Sequence, residues 1–246
     1  MPTASDPLTN FPVDAPPLPS PVFTTQRWND LVFLHWPVDP AAVAHLFPAG
    51  CRPDVFADGM TYVGLIPFAM CDLSFVAPVP VPYFGDFLET NVRLYSTDDR
   101  GRHGVLFRSL ETERLAMVGI SRATLGLPYT WARMRLTRNG DRITYVTARR
   151  WPDRGLRSEV TVDVGAPVTA TSLETWLTAR WGAHTRKAGR TWWVPNEHAP
   201  WTFRAAEVVG IADELVAAAG VTPAGERLRA LFSPGTFTRF GRPSVV

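Results

Sequence analysis

Phe87-Leu88-Glu89-Thr90-Asn91-Val92-Arg93-Leu94-Tyr95 is the stretch on which the reading of the fold turns. Successive side chains of a strand point to opposite faces. Leu88, Thr90, Val92 and Leu94 therefore share one largely apolar face that belongs on a core. Phe87, Glu89, Asn91, Arg93 and Tyr95 share the other, where an acid, an amide and a guanidinium stand between two aromatics. Two readings of that second face compete. It is either a solvated outer surface or the lining of a barrel cavity, in which aromatic walls carry a few placed polar groups, as small-molecule sites are built. Glu89 and Arg93 are four residues apart, about 13 Å along a strand, too far to neutralise each other directly.

Downstream, Asp98-Asp99-Arg100-Gly101 joins this strand to another over 103–113. Residues 114–125 carry apolar positions at helical spacing, with Gly126 as a stop. Asn139-Gly140 is the strongest hairpin signal in the chain, between strands over 129–137 and 142–151. A strand over 160–164, a helix over 173–180, a hairpin turning at Lys187-Ala188-Gly189, a strand over 202–208 and a helix over 211–219 follow. Upstream, Leu31–Leu34 reads as a buried strand, and Asp39 caps a short helix that opens at Pro40. Asp58-Gly59 reads as a hairpin turn between a strand near Asp54 and a longer one over 60–68. Pro78, Pro80 and Pro82 among valines give a stiff extended loop. Many closely spaced strands with a few short helices predict an α+β protein, mainly antiparallel β, as a barrel or sandwich with helices packed on it. Residues 1–20 hold six prolines among small polar residues and read as a flexible tail. Residues 21–246 read as one domain.

Composition narrows the function classes. A hydrophobic fraction of 46% with 20% charged residues is that of an ordinary soluble protein. The net charge of +2 and the scattered arginines argue against a nucleic-acid surface. Cys51 and Cys71 form no C-x-x-C and have no histidine cluster beside them, so neither a disulfide framework nor a metal site is expected, and a reducing cytoplasm fits. No stretch approaches the ~20 apolar residues that span a bilayer, and the first twenty residues do not read as a signal peptide. Phosphate-loop, dinucleotide and nucleophile-elbow motifs are missing. The expectation is a cytoplasmic protein with a small-molecule ligand and no cofactor, nucleic acid or membrane partner, with homo-oligomerisation open.

Beyond Glu89, Asn91 and Arg93, a second strand face offers Tyr129, Trp131, Arg133 and Arg135, opposite Thr130, Ala132, Met134 and Leu136. That face is either exposed or turned to the ligand. His35 and His198 sit beside Trp36-Pro37 and Ala199-Pro200-Trp201, and both read more simply as hydrogen-bonded core or rim residues than as catalysts.

Several runs resemble a known family: Thr25-Gln26-Arg27-Trp28, Phe33-Leu34-His35-Trp36-Pro37-Val38-Asp39-Pro40, Tyr62-Val63-Gly64-Leu65-Ile66-Pro67-Phe68, Glu89-Thr90-Asn91-Val92-Arg93, Gly126-Leu127-Pro128-Tyr129 and His198-Ala199-Pro200-Trp201. In this order they resemble the YqjF-like domain of unknown function, within the acetoacetate decarboxylase-like superfamily. The resemblance implies an acetoacetate decarboxylase-like β-barrel with a central cavity and favours the cavity reading of the Glu89 face. In true decarboxylases the segment matching Gly126–Thr130 carries the imine-forming lysine and the neighbour that lowers its pKa. Here Tyr129 and Thr130 stand at those positions. The one lysine of the chain, Lys187, falls in a predicted turn, where an amine keeps its ordinary high pKa. Imine-type decarboxylase or aldolase chemistry is therefore not expected. Glu89 becomes the candidate proton carrier and Tyr129 a candidate hydrogen-bond donor to a carbonyl. Arg93, Asn91, Trp131, Arg133 and His35 are the candidate ligand contacts. A binding protein without catalysis, or an interaction module using the proline-rich tail and the tryptophans, are the alternatives.

Overall fold

The computed structural model describes residues 7–9, 11–75 and 85–246. Among them run thirteen strands: β1 (Thr24–Val38), β2 (Cys51–Pro53), β3 (Thr61–Phe75), β4 (Phe87–Asp98), β5 (His103–Thr112), β6 (Tyr129–Asn139), β7 (Arg142–Trp151), β8 (Arg157–Val168), β9 (Gly182–Lys187), β10 (Arg190–His198), β11 (Phe203–Asp213), β12 (Ala230–Phe240) and β13 (Ser244–Val245). Four short helices accompany them: α1 (Pro40–Val43), α2 (Leu115–Leu125), α3 (Ser172–Thr178) and α4 (Leu215–Ala218). Pairing is antiparallel except where β5 meets β6 and β9.

The pairings trace two circuits. The smaller runs β1–β3–β4–β5–β9–β10–β12 and returns to β1. The larger leaves β5 through β6, β7, β8 and β11, and comes back by way of β12 and the same β1–β3–β4 wall. Strands β1, β3 and β4 are thus buried on both faces, and the pleat decides which side each residue serves. Val32, Leu34, Val63, Leu65, Val92 and Leu94 join Ile143, Val160 and Val162 in the close-packed core of the larger circuit. Leu31, Phe33, Ile66, Phe68, Met70 and Phe87 cluster on the other side. A wall buried on both faces needs apolar residues at successive positions, which is why Leu31-Val32-Phe33-Leu34 does not alternate.

Local chemistry sets most of the boundaries. The Asp39 side chain accepts from Ala41 N–H at 2.9 Å and starts α1. Thr171 and Glu174 form a capping box at α3. Gly126 ends α2 with φ of 68°, and a Cβ there would lie 2.4 Å from the Arg186 carbonyl oxygen. Gly126→Ala is therefore expected to lose roughly 2 kcal/mol or more, read from urea unfolding. A loss below about 0.5 kcal/mol would show that the backbone yields freely at this turn.

Three elements differ from the sequence reading. The strand near Asp54 pairs with β4 rather than β3, so Asp58-Gly59 is a turn but not a hairpin. Residues 211–213 continue β11 because β8 is long enough to pair them, Ile211 with Val160, and only Leu215–Ala218 is helical. Strand β12 was not expected, and its middle holds Pro234 and Gly235, both disfavoured in strands. Pro234, with no N–H to donate, falls between the Asn29–Gly235 and Leu31–Ser233 pairs. In the proline-rich segment, the Phe11 ring meets His103 edge-on at 4.9 Å, and Trp181 Nε1 donates to the Pro12 carbonyl at 2.6 Å. The stiff loop expected at Pro78, Pro80 and Pro82 lies outside the described residues.

Candidate functional site

The smaller circuit encloses a cavity of about 410 Å³. Its walls are mostly apolar. Strand β3 contributes Ile66, Phe68, Met70, Leu73 and Phe75, α2 contributes Met117 and Ile120, and Trp28 and Trp201 stack at 6.0 Å between ring centres. Glu89, Asn91 and Arg93 of β4 enter the same space. The polar face of the opening stretch therefore lines a cavity, as the second of its two readings holds.

Glu89 is 2% exposed. Burial pushes its carboxyl up to about 7, partly offset by hydrogen bonds from Tyr129 and Asn91. Tyr129 O–H donates to Glu89 Oε2 at 2.7 Å. The phenol is itself held well above its ordinary value, first by burial and then by the neighbouring carboxylate. With its amide spent on Glu89, Asn91 leaves Oδ1 buried without a partner. Tyr129→Phe removes a bond that favours the ionised form, so the Glu89 carboxyl is expected to titrate above about 7 in that variant, as carboxyl infrared bands or carbon NMR would report. An unchanged midpoint would mean that the tyrosine bond contributes nothing to the ionisation.

Arg93 leans away from Glu89. Its Nε donates to Tyr95 Oη at 3.3 Å and one Nη to the Leu177 carbonyl at 3.4 Å, both long bonds to neutral acceptors. Among the described residues, no carboxylate pairs with it. Tyr95, accepting from Arg93, has its own proton free for His35 Nε2 at 2.6 Å. Burial, and then the charges of Arg93 and Arg180, hold the His35 imidazole well below its ordinary value, so it is neutral and accepts. His35 does not line the cavity. It steadies Tyr95 behind Arg93.

Trp131 and Arg133 lie elsewhere. Strand β6 touches β5 only from Tyr129 to Trp131 and a bulge follows, after which it pairs with β7 alone. Tyr129 reaches the cavity from the strand's first residue. Arg133 is exposed, and Trp131 packs beneath the Arg150 guanidinium, 4.9 Å from its ring centre.

Two lining residues with basic side chains, Arg180 and His198, were not singled out as contacts. Arg180 follows α3 and is 5% exposed. It pairs with Asp54, donates from Nε to the Trp176 carbonyl at 2.8 Å, and keeps one Nη buried without a partner. An arginine between Ala179 and Trp181 was the only sign of it in the sequence. His198, read as a rim residue, donates from Nδ1 to the Ala199 carbonyl at 2.7 Å, which leaves Nε2 as an acceptor. Burial among Trp181 and Trp201 brings its pKa down to about 4. Lys187 is the last residue of β9 and is not among the lining residues. Its Nζ donates to the Thr124 carbonyl at 2.5 Å.

Another constellation has the bonding of a hydrolytic triad. Ser96 Oγ meets His184 Nδ1 at 2.8 Å, and His184 Nε2 meets Asp98 Oδ2 at 3.1 Å. All three residues are 0% exposed, so no substrate reaches the hydroxyl. Asp98 also accepts from the backbone N–H of Arg100 and Arg102 and from Arg102 Nε, which fixes the β4–β5 turn. The relay is structural. Among the described residues, no group of three or more His, Cys, Asp or Glu is placed to hold a metal ion, and no helix is long and apolar enough to cross a membrane.

The strongly curved, mainly antiparallel sheet is a fold shared with solved acetoacetate decarboxylase-like structures. The fold is similar to acetoacetate decarboxylase from Legionella pneumophila, with a TM-score of 0.67 and 13% identity over 98% of this chain and 94% of that one. It is likewise similar to the enduracididine biosynthesis enzyme MppR complexed with pyruvate, with a TM-score of 0.63 and 15% identity over 92% and 91%. The chain belongs to the DUF2071 family of uncharacterised conserved proteins, which it matches over residues 25–236. It is 32% identical over 200 residues to the uncharacterised protein YqjF of Bacillus subtilis, covering 80% of this chain and 81% of that one.

Proposed function

We propose that the cavity binds a small metabolite bearing a carboxylate or carbonyl group, and that Glu89 moves a proton on it without an imine. One observation carries the reading: a sealed carboxyl whose pKa is about 7 and which is hydrogen-bonded to Tyr129 inside an apolar cavity. A proton carrier works best when its pKa lies near the operating pH, and burial produces that match here. Arg93, lacking an acid partner among the described residues, supplies an anion contact in the cavity. Tyr129 gives its one proton to Glu89 and so orients the carboxyl toward the ligand space. MppR, with pyruvate in its structure, supports a keto acid as the ligand class. Two unpaired cysteines fit a cytoplasmic setting.

A thermal-shift screen of keto and hydroxy acids tests the binding, because a ligand that binds only the folded state raises its midpoint. Glu89→Gln then separates an enzyme from a binder that kept the cavity and has no reaction. In an enzyme turnover collapses while affinity moves modestly. In a binder affinity alone changes. If no acid shifts the midpoint, the reading falls.

A further inference from the structure

We infer that the ligand is an elongated amphipathic acid, with its carboxylate at the Arg93–Arg180 end and an apolar chain of about eight to ten carbons running past Glu89 to an apolar mouth. This deepens the proposed function and rests on it. The sheet register orders the parts along one wall. Arg93 lies opposite Gly64 and Glu89 opposite Phe68, and β3 continues from there to its last residue, Phe75. The polar end, the proton carrier and the mouth therefore follow one another along β3.

Glu89 and Arg93 are about 13 Å apart along the strand. Arg93 widens the gap, since its guanidinium reaches forward to Tyr95 and Leu177. A four-carbon acid, with bonds of about 1.5 Å, is roughly 5 Å long and does not touch both ends. A longer molecule does. Arg180, which also lines the cavity and is paired with Asp54, adds a second guanidinium at this end.

Toward the mouth every cavity-lining residue of β3 is apolar. At the rim Phe23, Phe75 and Ile120 are 36%, 38% and 47% exposed, and Thr24 pairs with Phe75. Apolar side chains exposed around a cavity entrance suit a chain that threads between them. The volume sets the length. At roughly 30 Å³ per non-hydrogen atom, the share a water molecule takes in the liquid, a cavity of about 410 Å³ holds about fourteen such atoms. A carboxylate with eight to ten carbons fits that space.

Trp28 and Trp201 line the cavity, so their fluorescence reports occupancy. The purified full chain is titrated with acetate, butyrate, octanoate, decanoate and octanol. Each added methylene is expected to tighten binding about fourfold, hence on the order of 200-fold from butyrate to octanoate. Octanoate is expected to bind at least tenfold tighter than octanol, and Arg93→Gln to abolish that preference. The octanoate–octanol comparison in the unaltered protein decides the polar end even if the variant folds poorly. Butyrate binding as tightly as octanoate would overturn the elongated ligand and leave the proposed function standing. Octanol matching octanoate would overturn the carboxylate end. If neither the short nor the long acids bind, both the inference and the function it rests on fall.

Discussion

Glu89→Gln is expected to stabilise the protein by roughly 3 kcal/mol at pH 8 and to leave it nearly unchanged near pH 4. The sign follows from the raised carboxyl. Its pKa stands at about 7 in the folded protein against an ordinary 4.5. Below 4.5 the group is protonated in both states, and its contribution to stability is complete. Between 4.5 and 7 the unfolded chain releases its proton first, so stability falls as pH rises. Above 7 the full deficit persists, about 2.5 pH units at 1.36 kcal/mol each. Glutamine has a similar shape and no charge to bury, so its stability does not fall in this window. Urea unfolding at pH 4, 6 and 8 checks it. A difference between variant and wild type that does not depend on pH would show that Glu89 does not titrate there. The same substitution is expected to remove 10²- to 10⁴-fold of turnover if the residue transfers a proton.

Arg149→Met is expected to cost about 3–5 kcal/mol, a fall in thermal midpoint on the order of 10 °C for a domain of this size. Arg149 forks both oxygens of Glu111, with Nε 3.1 Å from each, and Thr130 Oγ1 donates to the same carboxylate at 2.5 Å. Glu111 is 0% exposed and Arg149 7%. Removing the cation leaves a sealed negative charge with one hydroxyl for company, and that is far worse than losing a surface pair. The position compounds the effect. Glu111 pairs with Thr130 where β5 and β6 run parallel, the joint at which the larger circuit departs from the shared wall. Glu111→Leu combined with Arg149→Met is expected to be less harmful than the sum of the two single changes, because neither charge is then left alone. A single-variant loss below about 1 kcal/mol would mean that water or rearranged neighbours reach the carboxylate.

Legibility in the sequence followed the range of the forces involved. Period-two alternation sorted Leu88, Thr90, Val92 and Leu94 from Glu89, Asn91 and Arg93, and the structure keeps that division. Asp39, Gly126 and Asn139-Gly140 marked their turns because capping and positive φ are properties of a few neighbouring residues. Strand β12 and the end of β11 were not legible, since each depends on a partner distant in the chain.

The site divides in the same way. Glu89, Asn91, Arg93 and Tyr129 were within reach of strand parity and family resemblance, and the structure gathers them around one cavity. Trp131 and Arg133 share Tyr129's parity yet leave the cavity, because β6 turns away from β5 after Trp131. Arg180 enters it from the end of a helix with no periodic signal at all. Which residues share a face follows from chain order alone, since that needs only the geometry of one strand. Which face looks into a cavity, and which carboxyl is sealed enough to hold its proton near pH 7, was decided only when distant strands closed around it, because desolvation is a property of the enclosing walls and not of the residue.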